Sequence, residues 1–172
     1  MLKSVGIMGI LFACTMFGYV KASYFAKRPQ HIRQFIVALQ RIETEIVYAQ
    51  TPLQEAFLHV SAQVSEPFAE MFQVMSSRLQ NHQGTPLCEI WKQSLQACWQ
   101  HAALKKSEFE IAVQLGHVLG VSDYQDQVKH LRLAISQLQA EESEARQEQQ
   151  KYESMWRSLG LLMGALIVIL MY

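Results

Sequence analysis

Apolar residues recur at steps of three and four through most of this chain, which predicts helices and little strand. The longest such stretch closes it. No Pro or Gly falls between Val121 and Leu159, so one helix of roughly 35 residues, about 50 Å long, is expected to run into an apolar tail. Tyr124, Val128, Leu131, Ile135 and Leu138 share a face, and the same register continues through Glu142, Ala145, Gln149, Tyr152 and Trp156. That stripe is apolar first, polar in the middle and aromatic at its end. It reads as a part packed on a bundle, then a wet stalk, then an interfacial belt at a membrane.

Shorter helices precede it. Pro29 suits a helix start, and Ile32, Phe35, Ile36, Leu39, Ile42 and Ile46 form one buried stripe. Thr51 before Pro52 signals the next start, with the hydroxyl expected to accept the amide of Gln54, and this helix should reach about Ala62. Ser65, Glu66 and Pro67 open a third helix, whose Phe68, Met71, Phe72, Met75 and Leu79 share a face until Asn81 to Gly84 breaks it. Thr85 and Pro86 start a fourth that turns Leu87, Ile90, Trp91, Leu95 and Cys98 inward. Ser107 with Glu110 has the spacing of a capping box for a short fifth helix ending at Gly120. Ser122 or Asp123 caps the long one. The expected fold is all-α, a compact bundle of about six helices.

Both ends of the chain are apolar. Ser4 to Val20, with Lys3 before it and Lys21, Lys27 and Arg28 after it, spans about 26 Å as a helix, close to a hydrocarbon core of about 30 Å. A membrane anchor is favoured over a cleaved signal, because the run leaves through bulky Phe17 and Tyr19. Phe12 ahead of Cys14 is a poor lipoprotein site. Leu159 to Tyr172 is shorter and needs Met155, Trp156 and a snorkelling Arg157 to cross. Positive charge gathers on the inner flanks, which predicts a domain facing the cytoplasm with both termini across the membrane. The expected organisation is an anchor over residues 1–21, a cytoplasmic bundle with stalk over 22–157 and a membrane segment over 158–172. Gly160 and Gly164 make a GxxxG spacing that lets two membrane helices approach closely.

Fifteen basic residues balance 15 acidic ones in 172, so no basic field favours nucleic acid. Three cysteines, one of them inside the first apolar run, make no disulfide framework. Cys98 and His101 lie one turn apart, with His82, Cys88 and His117 elsewhere, yet no paired metal-ligand motif is present. Neither metal, cofactor nor small-molecule substrate is expected. Glu43 and Glu45 cannot share a helix face, and no nucleophile motif or phosphate loop occurs. The chain therefore reads as a non-enzyme. The run Glu141, Glu142, Glu144 and Glu148 reads as a solvated helix face.

The anchor followed by KRPQHIRQ, then LQRIETEIVYAQTPLQEA, LGVSDYQDQVKHLRLA and the closing KYESMWRSLGLLMGALIVIL resemble the stage III sporulation protein AB family of endospore-forming bacteria. The resemblance covers essentially the whole chain and is weakest between about Val60 and Gln114. It implies a membrane protein needed for sporulation, encoded with seven partners that form a channel between mother cell and forespore. It further implies a domain similar to the cytoplasmic domains of the platform protein in type II secretion and type IV pilus machines, coupled to the AA ATPase of the same set. Polar positions inside the shared motifs are the expected partner contacts: Glu43, Tyr48, Asp123, Gln127, Lys129 and Arg132. A competing reading is a membrane-tethered sensor in which Cys98 and His101 answer to metal or redox state.

Overall fold

A computed structural model describes residues 27–49, 51–81, 84–120 and 123–171. Among these residues there are six helices and no strand. We number them α1 (27–44, continued by a π-helical turn, Glu45–Ala49), α2 (Leu53–Ser61), α3 (Phe68–Asn81), α4 (Leu87–Trp99), α5 (Lys106–Val118) and α6 (Tyr124–Met171). The chain divides into two compact units, Gln30–Glu142 and a second made of Met1–Pro29 with Ser143–Tyr172.

In the larger unit the predicted faces are the buried ones. Ile32, Phe35, Ile36, Leu39 and Ile42 of α1 are buried, and Ile46 carries the stripe into the π turn. Just before that turn the hydroxyl of Thr44 donates to the carbonyl of Gln40 at 2.9 Å, a back-bond that competes with the regular helical ladder. The wider turn that follows leaves Tyr48 84% exposed. Helices α2, α3, α4 and α5 then pack as sequential neighbours. Short connections make that arrangement the expected one.

Aromatic rings bind these helices together. Phe35 of α1 stacks on Phe68 of α3 at 5.1 Å between centroids and meets Trp99 of α4 edge-on, and Trp99 in turn meets Phe109 of α5. A second group joins Phe57, Phe72 and Trp91. Trp91 is fully buried, and its Nε1–H donates to the carbonyl of Ala112 at 2.7 Å. This meets the one polar demand of an indole placed inside a core.

Two predicted caps fall elsewhere. Pro52 holds the N-cap position of α2 without a side-chain cap, and the Thr51 hydroxyl donates to the carboxylate of Glu45 at 3.0 Å instead of serving Gln54. The capping box of α5 sits two residues earlier than Ser107 and Glu110, because the buried Glu108 carboxylate accepts the backbone N–H of Lys105 at 2.7 Å. Gly120 does end α5, at φ +82°, and a Cβ there would stand 2.7 Å from Leu87. Its backbone conformation and that close approach both favour glycine.

In α6 the predicted register holds over its described side chains. Val128, Leu131, Ile135, Leu138 and Ala145 are buried, while Glu142, Gln149 and Tyr152 are partly covered. Ala145 is 2% exposed, while Ser143, Glu144, Arg146, Gln147 and Gln150 around it are exposed. Among the described residues no helix is long and apolar enough to cross a membrane. The expected anchor, 1–21, lies outside the described residues. In the tail α6 remains helical to Met171, and the surroundings of Gly160 and Gly164 lie outside the description.

Candidate interaction surface

Within the larger unit, two polar contacts tie the first part of α6 to the helices before it, and a third ties α1 to the α4–α5 connection. His31 near the start of α1 accepts the backbone N–H of Ala103 at 2.9 Å. Four residues on, the hydroxyl of Ser107 donates to Glu141 of α6 at 3.1 Å. At the other end of α1, Arg132 Nε of α6 donates to Glu43 Oε1 at 2.6 Å. Moving from His31 to Glu43 thus runs from Glu141 back towards Arg132, and the two helices are antiparallel.

The structure therefore brings together two of the six expected contact residues, Glu43 and Arg132, from positions 89 apart in sequence. The arginine side chain is 67% exposed and the glutamate 21%, so the pair contributes about 0–1 kcal/mol to stability and remains open to competition by a partner. Lys129 lies on the same face of α6, three residues before Arg132, and is exposed. Leu133 joins them at 53% exposure. The sequence reading passed over Leu133, although its place off the buried register marks it as outward. Asp123 is exposed immediately before α6, and its carbonyl accepts the N–H of Gln127 at 3.0 Å. Tyr48 projects from the π turn rather than ending a helix against the core.

The glutamate run does not behave as one solvated face. Glu144 is exposed, but Glu141 takes the bond from Ser107. Within the smaller unit Glu148 pairs with Arg28 at 2.7 Å, where the arginine side chain is 10% exposed. Arg28 had been counted among the charges that orient the first apolar segment; its charge is neutralised locally by this carboxylate.

Cys98 is buried, with its Sγ 3.6 Å from the carbonyl of Pro67. Burial first, then the nearby charges of Glu66 and Glu70, push its thiol up to about 12. A thiolate is the metal-binding and redox-active form, so this environment opposes the sensor chemistry imagined for Cys98 and His101. Among the described residues no group of three His, Cys, Asp or Glu is placed to hold a metal ion.

Among the described residues the fold is an all-helical bundle without strands. The chain matches the family described as Stage III sporulation protein AB over residues 3–172. It is 39% identical over 171 residues to Stage III sporulation protein AB of Bacillus subtilis (strain 168), covering 99% of each chain. A solved structure of Stage III sporulation protein AB (SpoIIIAB) superposes with a TM-score of 0.68 at 38% identity, covering 73% of this chain and 98% of that one. The chain belongs to the stage III sporulation protein AB family.

Proposed function

We propose that the protein is a non-catalytic membrane platform of the mother cell to forespore channel complex, and that it docks the AA ATPase encoded with it. Family membership supports a place among the proteins of the stage III sporulation A operon. The observation that carries the docking surface is the exposed Glu43–Arg132 pair, flanked by Lys129, Leu133 and, at the same end of α1, Tyr48. Asp123 and Gln127 extend it to the start of α6. A partly exposed ion pair costs little to open, so a partner carrying a complementary pair of charges exchanges with it at small loss.

In this reading the apolar segments 1–21 and 158–172 hold the protein in the mother-cell membrane around the forespore, with the bundle facing the cytoplasm. Gly160 and Gly164 pack the tail against another membrane helix. The test is co-purification of the full chain with the ATPase, comparing the native protein with Arg132→Glu. Loss of the ATPase with an unchanged circular dichroism spectrum is expected. Intact association, or cysteine labelling that places Lys129→Cys outside the cytoplasm, overturns the docking reading.

A further inference from the structure

Helices α3 and α4 lie antiparallel, because Arg78 meets Gln93 towards one end and Cys98 meets Pro67 at the other. A groove of about 130 Å3 runs between them, with Met71, Val74 and Ala97 among its walls. Val74 also borders a more open hollow lined by Gln73, Ser77 and Asn81. It therefore stands as an apolar ridge between two depressions. Burial of Phe68, Phe72 and Met75 on the inner face of α3 turns Val74 outward, where it is 36% exposed among the exposed polar residues Glu70, Gln73 and Ser77.

Charges are placed evenly about this ridge. Glu70 and Arg78 lie four residues before and after Val74, about 6 Å away along the axis and about 40° to either side. Glu70 is exposed, and among the described residues its carboxylate has no partner; only its backbone N–H is engaged, by Glu66. Arg78 donates to the amide oxygen of Gln93 at 2.9 Å and meets no carboxylate. About 12 Å of helix rise separates the two charged residues, and they form no ion pair with each other.

We propose that this α3–α4 face pairs with the same face of a second copy of the chain. A two-fold interface joins one patch to itself, so the patch must be complementary to its own reversal. The order acid, apolar, base at equal steps meets that condition. A two-fold axis level with Val74 sets the two α3 helices antiparallel and brings Glu70 of each copy opposite Arg78 of the other. Two ion pairs then enclose the two valines, and Ala97, exposed on α4, adds apolar contact. Any other occupant would have to carry the same order at the same spacing, and α3 carries it. The face shares no residue with the surface proposed for the ATPase, so the two readings fail separately.

The experiment uses the full chain in phosphatidylcholine liposomes, with Cys14→Ser and Cys88→Ser as background and a single cysteine introduced by Val74→Cys or, as control, by Leu58→Cys on the exposed surface of α2. Helices packed about 8–10 Å apart bring facing Cα atoms to about 4–6 Å, within the reach of a disulfide. Mild oxidation is expected to link Val74→Cys into a dimer and to leave Leu58→Cys monomeric. Adding Glu70→Arg sets like charges opposite each other twice per dimer and should slow the linkage about tenfold or more, as should Arg78→Glu. The two changes together restore it, with circular dichroism unchanged throughout. Absence of the Val74→Cys dimer, equal linkage of Leu58→Cys, or indifference to Glu70→Arg overturns the proposal. So does failure of the double exchange to restore linkage, or a dimer lost in Gly164→Leu that ignores Glu70→Arg, because the membrane tail is then the contact.

Discussion

A Cβ placed on Gly116 would stand 2.2 Å from Cδ1 of Trp91, and the same indole donates to the carbonyl of Ala112 one turn earlier at 2.7 Å. Helix α5 therefore meets α4 through a gap that only a missing side chain provides, with the tryptophan ring lying in it. Trp91 also contacts Phe57 and Phe72, so its position is coupled to α2 and α3 as well.

Gly116→Ala should consequently destabilise the protein, although alanine is the better helix former by about 1 kcal/mol. Displacing a fully buried indole by overpacking costs about 1–3 kcal/mol, and the 2.2 Å approach places this case at the upper end. A lowered urea midpoint for the variant is the expected result. An unchanged or raised midpoint would mean that α4 and α5 separate without loss.

Trp91→Phe tests the hydrogen bond apart from the packing. It leaves the Ala112 carbonyl without its indole donor and removes part of the ring, so a loss of about 1–3 kcal/mol is expected from the same denaturation experiment.

Cys98 sets an alkaline limit. Its thiol, raised from 9.0 to about 12 in the native state, stays protonated there while the unfolded chain begins to release that proton near pH 9. The unfolded form then gains, so stability contributed at this site is intact below pH 9 and falls by about 1.4 kcal/mol per pH unit as pH rises towards 12. Comparing native protein with Cys98→Ala across pH 8 to 10.5 isolates this slope. At pH 8 iodoacetamide should modify Cys88, which is partly exposed, well before Cys98. Equal rates would contradict the burial argument.

Glu148→Ala removes the contact to Arg28, whose side chain is only 10% exposed. The glutamate is partly solvated, which moderates the loss to about 1–2 kcal/mol. Amide hydrogen exchange of α6 around Ala145 to Tyr152 should accelerate, and exchange in α4 and α5 should not.

Exchanging the charges of the exposed pair separates stability from recognition. Glu43→Arg with Arg132→Glu keeps the helices bridged, so the melting temperature should stay within a degree or two of native. Binding of the ATPase should still fail, because a partner reads the sign of each charge. Retained binding in the double variant would show that only the bridge between α1 and α6 matters.

Helix positions and their inward faces were legible in the sequence because they depend on local periodicity. The stripe from Ile32 to Ile46, the face of α3 from Phe68 to Met75 and the register of α6 from Val128 through Ala145 follow from steps of three and four, and the Gly120 end of α5 from glycine's tolerance of positive φ. Family membership was equally legible, because motifs at both ends are matched over nearly the whole chain. What tertiary structure alone decided were choices among partners. Thr51 turns to Glu45 rather than to its own helix, and Glu108 rather than Glu110 closes the capping box. Of four similar glutamates, Glu141 and Glu148 find Ser107 and Arg28 while Glu144 faces water. Each of these side chains had more than one chemically suitable neighbour, and the selection depended on distances between helices far apart in sequence. The same reason hid the gap at Gly116, since it is a space between two helices and no single stretch of sequence encodes it.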